Sequence, residues 1–100
     1  MSRPYRLTPE AQSQLAAIGE FLARDSIEAA LKVYDALEGA FEHLAAMPEM
    51  GHTREDLTKR PVKFWSVLSY LVIYDPASDP LSVIAIIHGA QDVETILKNQ

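Results

Sequence analysis

Two stretches in the first half of the chain place apolar residues at steps of three and four, the spacing of one side of an α-helix. In the first stretch this set is Ala11, Leu15, Ile18 and Leu22. Thr8 is a suitable N-cap, and Pro9 after it suits the first helical position. The pattern therefore predicts a helix from there to about Asp25.

The second stretch repeats the same spacing with Ile27, Ala30, Tyr34, Leu37, Phe41 and Leu44. Ser26 is its expected N-cap, and Pro48 ends the helix because its ring cannot continue the backbone hydrogen bonding. Because the connection at residues 25–26 is so short, the two helices are expected to form an antiparallel hairpin.

The remaining pattern is typical of β-strands. Residues 3–7 predict an edge strand with Tyr5 and Leu7 on one side, and three further strands are expected near 62–65, 70–74 and 81–88. A short terminal helix at 91–98 is possible. Together these elements predict an α+β fold in the order β-α-α-β-β-β, in which an antiparallel helix hairpin packs on a small antiparallel sheet. We expect residues 1–100 to form a single domain.

Strict alternation in the last strand would put Leu81, Val83, Ala85 and Ile87 on one face and Ser82, Ile84, Ile86 and His88 on the other. A helix hairpin covers only one face of a sheet, so the second face needs apolar cover of its own. Two sources are open. A partner segment could bind there, or the terminal helix could fold back over it.

Composition narrows the class of protein. The chain has 100 residues, of which 48% are hydrophobic, carries a formal net charge of −5 and contains no cysteine. The acidic balance disfavours nucleic acid as the sole partner. No stretch approaches the length of about 20 apolar residues that a membrane span needs, and the start lacks the apolar run of a signal peptide. We therefore expect a cytoplasmic protein.

Basic residues gather between the second helix and the next strand, at Arg54, Lys59, Arg60 and Lys63. They could meet nucleic acid or an acidic stretch of a protein, or simply form a solvated loop balanced by Glu55 and Asp56. Lys63 is the strongest candidate because a strand fixes its direction. The neighbouring Phe64 and Trp65 could stack bases, although such residues more often serve a core or an interface.

The three histidines give little support to a catalytic or metal site. His88 and Asp92 lie four residues apart and could form an acid–base pair, but the alternative is that His88 ends a strand and Asp92 caps the last turn. His43 is expected on the exposed side of its helix, and His52 has no neighbour at metal-ligand spacing. The sequence has neither a Gly-x-Ser-x-Gly nucleophile motif nor a glycine-rich phosphate-binding loop. We therefore expect no catalytic residue, no metal and no cofactor.

Four segments, in this order and spacing, carry a resemblance to a known family. They are Tyr5-Arg6-Leu7-Thr8-Pro9-Glu10-Ala11, Leu44-Ala45-Ala46-Met47-Pro48-Glu49-Met50-Gly51, Ser69-Tyr70-Leu71-Val72-Ile73-Tyr74 and Ile84-Ala85-Ile86-Ile87-His88-Gly89-Ala90-Gln91-Asp92. Over nearly its whole length the chain resembles the ParE/RelE superfamily of toxins from type II toxin–antitoxin systems. The resemblance implies a cognate antitoxin as partner, with a DNA-binding N-terminal part.

The branch of the superfamily decides the expected activity. RelE-like members are mRNA endonucleases that act on the ribosome, whereas ParE-like members poison DNA gyrase and have no hydrolytic site. Gln91 stands where the family has an arginine, and nothing after Tyr74 is aromatic. These departures and the acidic charge favour the ParE-like branch, with gyrase as the target. An mRNA endonuclease and a non-toxic antitoxin-binding module remain the alternatives.

Two sets of contact residues follow as expectations. Those expected to contact the target are Arg54, Arg60, Lys63, His88, Gln91 and Asp92. Those expected to contact the antitoxin are Tyr34, Phe41, Trp65, Tyr70, Tyr74, Ile84 and Ile86.

Overall fold

The computed structural model describes residues 4–89 and 93–98, apart from the side chain of Glu94. Along the chain the elements are β1 (Tyr5–Leu7), α1 (Pro9–Ala23), α2 (Ile27–Ala46), a 3₁₀ turn (Pro48–Met50), β2 (Lys63–Val67), β3 (Tyr70–Asp75), β4 (Leu81–His88) and α3 (Val93–Lys98). This is the α+β arrangement that the sequence predicts. Gln91 and Asp92, named above as target contacts, lie outside the described residues.

Both predicted N-caps are confirmed. The Thr8 hydroxyl accepts a hydrogen bond from the Ala11 amide at 3.2 Å, and the Ser26 hydroxyl accepts one from the Ala29 amide at 3.1 Å. The helices pack closely because the Tyr34 ring lies directly against Gly19, where any β-carbon would clash with it. Its hydroxyl donates to the Leu15 carbonyl at 3.2 Å. The hairpin prediction is therefore confirmed.

The four strands form one sheet in the order β1-β4-β3-β2. β2, β3 and β4 pair antiparallel, as predicted, but β1 pairs with β4 in parallel, with Tyr5 opposite Leu81. The sheet is therefore mixed rather than antiparallel throughout. The cause is the long connection through the hairpin, β2 and β3, since such a crossover allows parallel strands to be neighbours.

A bulge in β4 changes which side chains share a face. The pairing runs from Tyr74 opposite Val83 to Ile73 opposite Ala85, so Ile84 is the extra residue. Leu81, Val83 and Ile86 consequently face the hairpin, while Ala85 and Ile87 face the other way. The strict alternation predicted above is wrong after Val83.

Two apolar clusters hold the layers together. The larger one lies between the hairpin and the sheet, and the smaller one lies behind the sheet, where Val93 and Leu97 of α3 are 2% and 3% exposed. The terminal helix therefore covers the second face of the sheet, together with Val62 and Leu57. This is the alternative to a partner segment that the sequence analysis left open. One predicted core residue is misplaced: Ile27 is 67% exposed because it lies at the start of α2, at the outer end of the hairpin.

A tyrosine fixes the corner between α2 and the sheet. The buried Tyr74 hydroxyl donates to the Pro48 carbonyl at 2.7 Å and accepts from the Gly51 amide at 2.9 Å. A β-carbon at Gly51 would overlap the Tyr74 ring, so glycine is required for this approach. Burial raises the pKa of Tyr74, and the Gly51 amide opposes that rise only in part.

Candidate functional site

Two adjoining grooves open at the end of the sheet where the β2–β3 turn, the end of β4 and α1 meet. The first, the apolar groove, has a volume of about 360 Å³ and is lined by Ala17, Ile18, Phe21, Tyr70 and His88. The second groove, of about 200 Å³, is lined by Arg54, Ser66, Leu68, Ser69, Tyr70, Leu71 and Gly89. Tyr70 borders both grooves, and we call the two together the sheet-end surface.

Strand register brings the central pair of this surface together. Tyr70 and His88 lie opposite each other on β3 and β4, and their rings meet edge to face with centroids 5.3 Å apart. Aromatic rings favour this arrangement because the positive edge of one meets the negative face of the other. The pair forms a wall of the apolar groove.

The β2–β3 turn carries an unusual backbone angle. Only Leu68 and Ser69 separate the two strands, and Leu68 has a φ of 56°. The favoured two-residue hairpin turns have a positive φ at their first position, which glycine or asparagine adopts far more readily than leucine. The turn therefore holds Leu68 in a strained conformation, with 62% of the residue exposed beside the second groove.

Arg54 is held in place at the second groove by its neighbour. Its Nε and Nη2 atoms donate to the two carboxylate oxygens of Asp56 at 3.0 and 2.9 Å. This bidentate hydrogen bond raises the pKa of Arg54 and lowers the pKa of Asp56. Both groups remain in solvent, so the pair orients Arg54 without burying it.

The predicted target contacts do not all meet. The structure brings Arg54 and His88 to the sheet-end surface, although they are far apart in sequence. Lys63 instead donates to the Gly51 carbonyl at 3.4 Å, beside the Tyr74 corner. Arg60 lies in the exposed loop before β2, where its amide donates to the Thr58 hydroxyl at 3.1 Å.

Several predicted antitoxin contacts belong to the core of this chain. Phe41, Tyr74 and Ile86 are at most 2% exposed, so they offer no surface to a partner as the fold stands. Phe41 belongs to the apolar stripe of α2, Ile86 faces the hairpin because of the bulge in β4, and Tyr74 is held in the corner beside Gly51. Tyr34 and Ile84 are half-buried.

Trp65 and Tyr70, the remaining antitoxin candidates, are also half-buried but reach the surface. Trp65 stacks on His52 with ring centroids 6.1 Å apart, at an edge of the sheet. Tyr70 belongs to the sheet-end surface described above. These two, unlike the core residues, are placed where another molecule could touch them.

Phe21 and Leu68 border the grooves and are 65% and 62% exposed, but neither was predicted as a contact residue from the sequence. A signal for each was present. Phe21 falls outside the apolar stripe of its helix, and Leu68 stands between the strands predicted near 62–65 and 70–74, where a large apolar side chain has little to pack against.

Other kinds of site find no support in the part of the chain that the structure describes. It contains no group of three or more histidine, aspartate or glutamate side chains arranged to hold a metal. In residues 4–89 and 93–98, no helix combines the length and the apolar character needed to cross a membrane.

Comparison with known proteins identifies the class. Residues 5–93 match the family model described as the ParE toxin of the type II toxin–antitoxin system parDE. The curated proteins give no significant match. A solved structure described as the chromosomal ParDE TA system from P. aeruginosa is similar in fold, with a TM-score of 0.71 and 15% identity, covering 88% of this chain and 97% of that chain. The chain is thus a toxin-type domain, and it belongs to the ParE toxin family.

Proposed function

We propose that this protein is the toxin of a type II toxin–antitoxin pair, that it inhibits DNA gyrase without cutting nucleic acid, and that a cognate antitoxin neutralises it. The observation that carries the proposal is the family match, which spans residues 5–93 and so includes the strands β1 to β4 and the helices α1 and α2 described above. The antitoxin is expected to bind DNA through its N-terminal part.

The arrangement of the polar side chains favours inhibition over hydrolysis. An acid–base catalyst must stand within hydrogen-bond reach of the group that it protonates or deprotonates, and a second group must complete the site. Here His88 packs against the ring of Tyr70, and Arg54 is hydrogen-bonded to Asp56. Lys63 donates a hydrogen bond to the backbone carbonyl of Gly51. Within the described residues these groups do not converge on one point, which supports a toxin that acts by binding.

Exposed apolar side chains support the existence of a covering partner. Five large apolar residues of the described chain are more than half exposed: Phe21, Ile27, Leu31, Met47 and Leu68. Three of them lie around the bend of the hairpin, between positions 21 and 31. Apolar residues grouped in this way on a small protein mark an interaction surface. An antitoxin that covers them would also stabilise the toxin by mass action.

Induction in living cells tests the proposal. The chain is expressed alone, then together with the product of the adjacent reading frame, and growth, a DNA-damage reporter and the rate of protein synthesis are followed. We expect growth arrest with early activation of the reporter and relief by the second protein, while the second protein alone has no effect.

Two results would contradict this. Loss of protein synthesis within minutes, ahead of any DNA-damage signal, would indicate an mRNA endonuclease. Normal growth at full expression of folded protein would indicate a non-toxic binding module.

A further inference from the structure

We infer that the sheet-end surface is a docking site for a short acidic polypeptide segment. An apolar side chain of that segment enters the apolar groove beside Phe21, and a neighbouring carboxylate binds Arg54 in the second groove. The inference goes beyond the proposed function, since it concerns what this surface recognises and holds whether or not gyrase is the target.

The apolar groove has the size and lining of a side-chain pocket. Its volume of about 360 Å³ falls within the range of about 300–1,000 Å³ typical of ligand sites. Its lining includes the aliphatic residues Ala17 and Ile18 and the aromatic ring of Phe21. The space above Ala17 is open because this exposed position carries only a methyl group.

The conformation of Leu68 gives a second, independent reason. A leucine with a φ of 56° destabilises the turn, and at 62% exposure it gains little from burial within its own chain. Strained residues persist at sites where a ligand or partner makes use of them. A partner that buried Leu68 would account for a large apolar side chain at the position where glycine fits best.

Charge selects the kind of segment. Among the described residues that line the two grooves, Arg54 is the cation, and it is accompanied by the hydroxyls of Ser66 and Ser69. A guanidinium has five N–H donors, of which Asp56 takes two, so further donors are available for a carboxylate. A single cation beside an apolar groove suits a peptide with one apolar and one acidic side chain. A nucleic acid would need several cations along its phosphates, whereas the described lining of the two grooves supplies one.

The first test is titration of the purified chain with a capped hexapeptide that contains one leucine followed by two aspartates, observed by amide NMR. We expect shifts at Leu68, Tyr70 and His88. A matched peptide with lysines in place of the aspartates should bind at least tenfold more weakly. Equal binding of the two peptides would overturn the role of the carboxylate, and no binding of either would overturn the inference.

Substitutions of the two members of the Arg54–Asp56 ion pair should have opposite effects on the affinity for the acidic peptide. Arg54→Gln should weaken binding of the acidic peptide about tenfold, the loss expected for one charge-assisted hydrogen bond. Asp56→Asn should tighten binding, because it removes the carboxylate that competes for Arg54. If the pair only maintained the loop, both variants would weaken binding, and that result would contradict recognition by Arg54.

A variant that fills the apolar groove distinguishes docking of the peptide from docking of a second copy of the chain. Ala17→Phe should abolish peptide binding, whereas Ala16→Phe, at an exposed alanine on the same helix that does not line the groove, should leave it unchanged. Circular dichroism confirms that both variants fold. If light scattering shows a dimer that only Ala17→Phe disperses, the occupant is a second copy of the chain and the inference is wrong. Failure of gyrase inhibition would leave each of these results unaffected.

Discussion

Replacing Tyr74 by phenylalanine removes one oxygen atom from the corner that joins the hairpin to the sheet. That oxygen donates to the Pro48 carbonyl and accepts from the buried Gly51 amide, at 2.7 and 2.9 Å. Tyr74 itself is 0% exposed, so water cannot take the place of the hydroxyl without a rearrangement. Phenylalanine retains the packing of the ring and leaves two backbone groups without their partner.

The size of the effect follows from these two bonds. Each hydrogen bond contributes about 1 kcal/mol to stability, and a buried group left without a partner costs about 1–3 kcal/mol. Because the Pro48 carbonyl lies nearer the surface than the Gly51 amide, we expect a total loss of about 2–3 kcal/mol in the free energy of unfolding. For a domain of this size that corresponds to a fall in Tm of about 10–20 °C.

Urea unfolding followed by circular dichroism measures this loss, with Tyr70→Phe as the matched control. Tyr70 is half-buried, and its hydroxyl has no hydrogen-bond partner among the described residues, so its replacement should change stability by less than about 0.5 kcal/mol. If Tyr74→Phe cost no more than Tyr70→Phe, the corner would not be held by the hydroxyl, and the reasoning would be refuted.

Three further predictions follow from local features. Leu68→Gly should raise the free energy of unfolding by about 0.5–1 kcal/mol because glycine adopts a positive φ without strain; a lower urea midpoint would contradict this. Ser26→Ala should cost about 1 kcal/mol through loss of the cap to Ala29, and an unchanged midpoint would show that the cap contributes nothing. Stability should fall as the pH rises above about 10, because the pKa of Tyr74 is raised in the folded state and the unfolded chain loses that proton first. Unfolding curves at pH 8 and pH 11 should show a smaller fall for Tyr74→Phe, and an equal fall would assign the effect to other groups.

The helical part of the fold could be read from the sequence because its determinants are local. Steps of three and four place Leu37 and Phe41 on one face, and Ser26 supplies a cap that depends only on the next three residues. The one misplaced member, Ile27, has the correct spacing but lies beyond the reach of the sheet. Periodicity specifies a side of a helix, not how far the neighbouring layer extends.

The sheet was less predictable because its details depend on pairing between distant residues. The bulge at Ile84 lies in a continuous apolar run, where no glycine or polar residue marks it. The direction of β1 relative to β4 depends on the path of the whole connection between them. The local sequence pattern therefore predicts neither the bulge nor the parallel pairing of β1 with β4.

The candidate site shows the same division. Arg54 and His88 could be proposed one by one from their chemistry, but they share a surface only because the loop before β2 and the end of β4 meet beside Tyr70. The strain at Leu68 is a property of backbone geometry, and no residue type predicts it.

The measurement that tests the proposed function most directly is DNA supercoiling by purified gyrase in the presence of the purified chain. We expect loss of supercoiling, or accumulation of cleaved DNA, at a concentration that leaves mRNA on translating ribosomes intact, and restoration of supercoiling when the antitoxin is added. Codon-specific cleavage of mRNA with undiminished supercoiling would contradict the proposal and indicate an endonuclease instead.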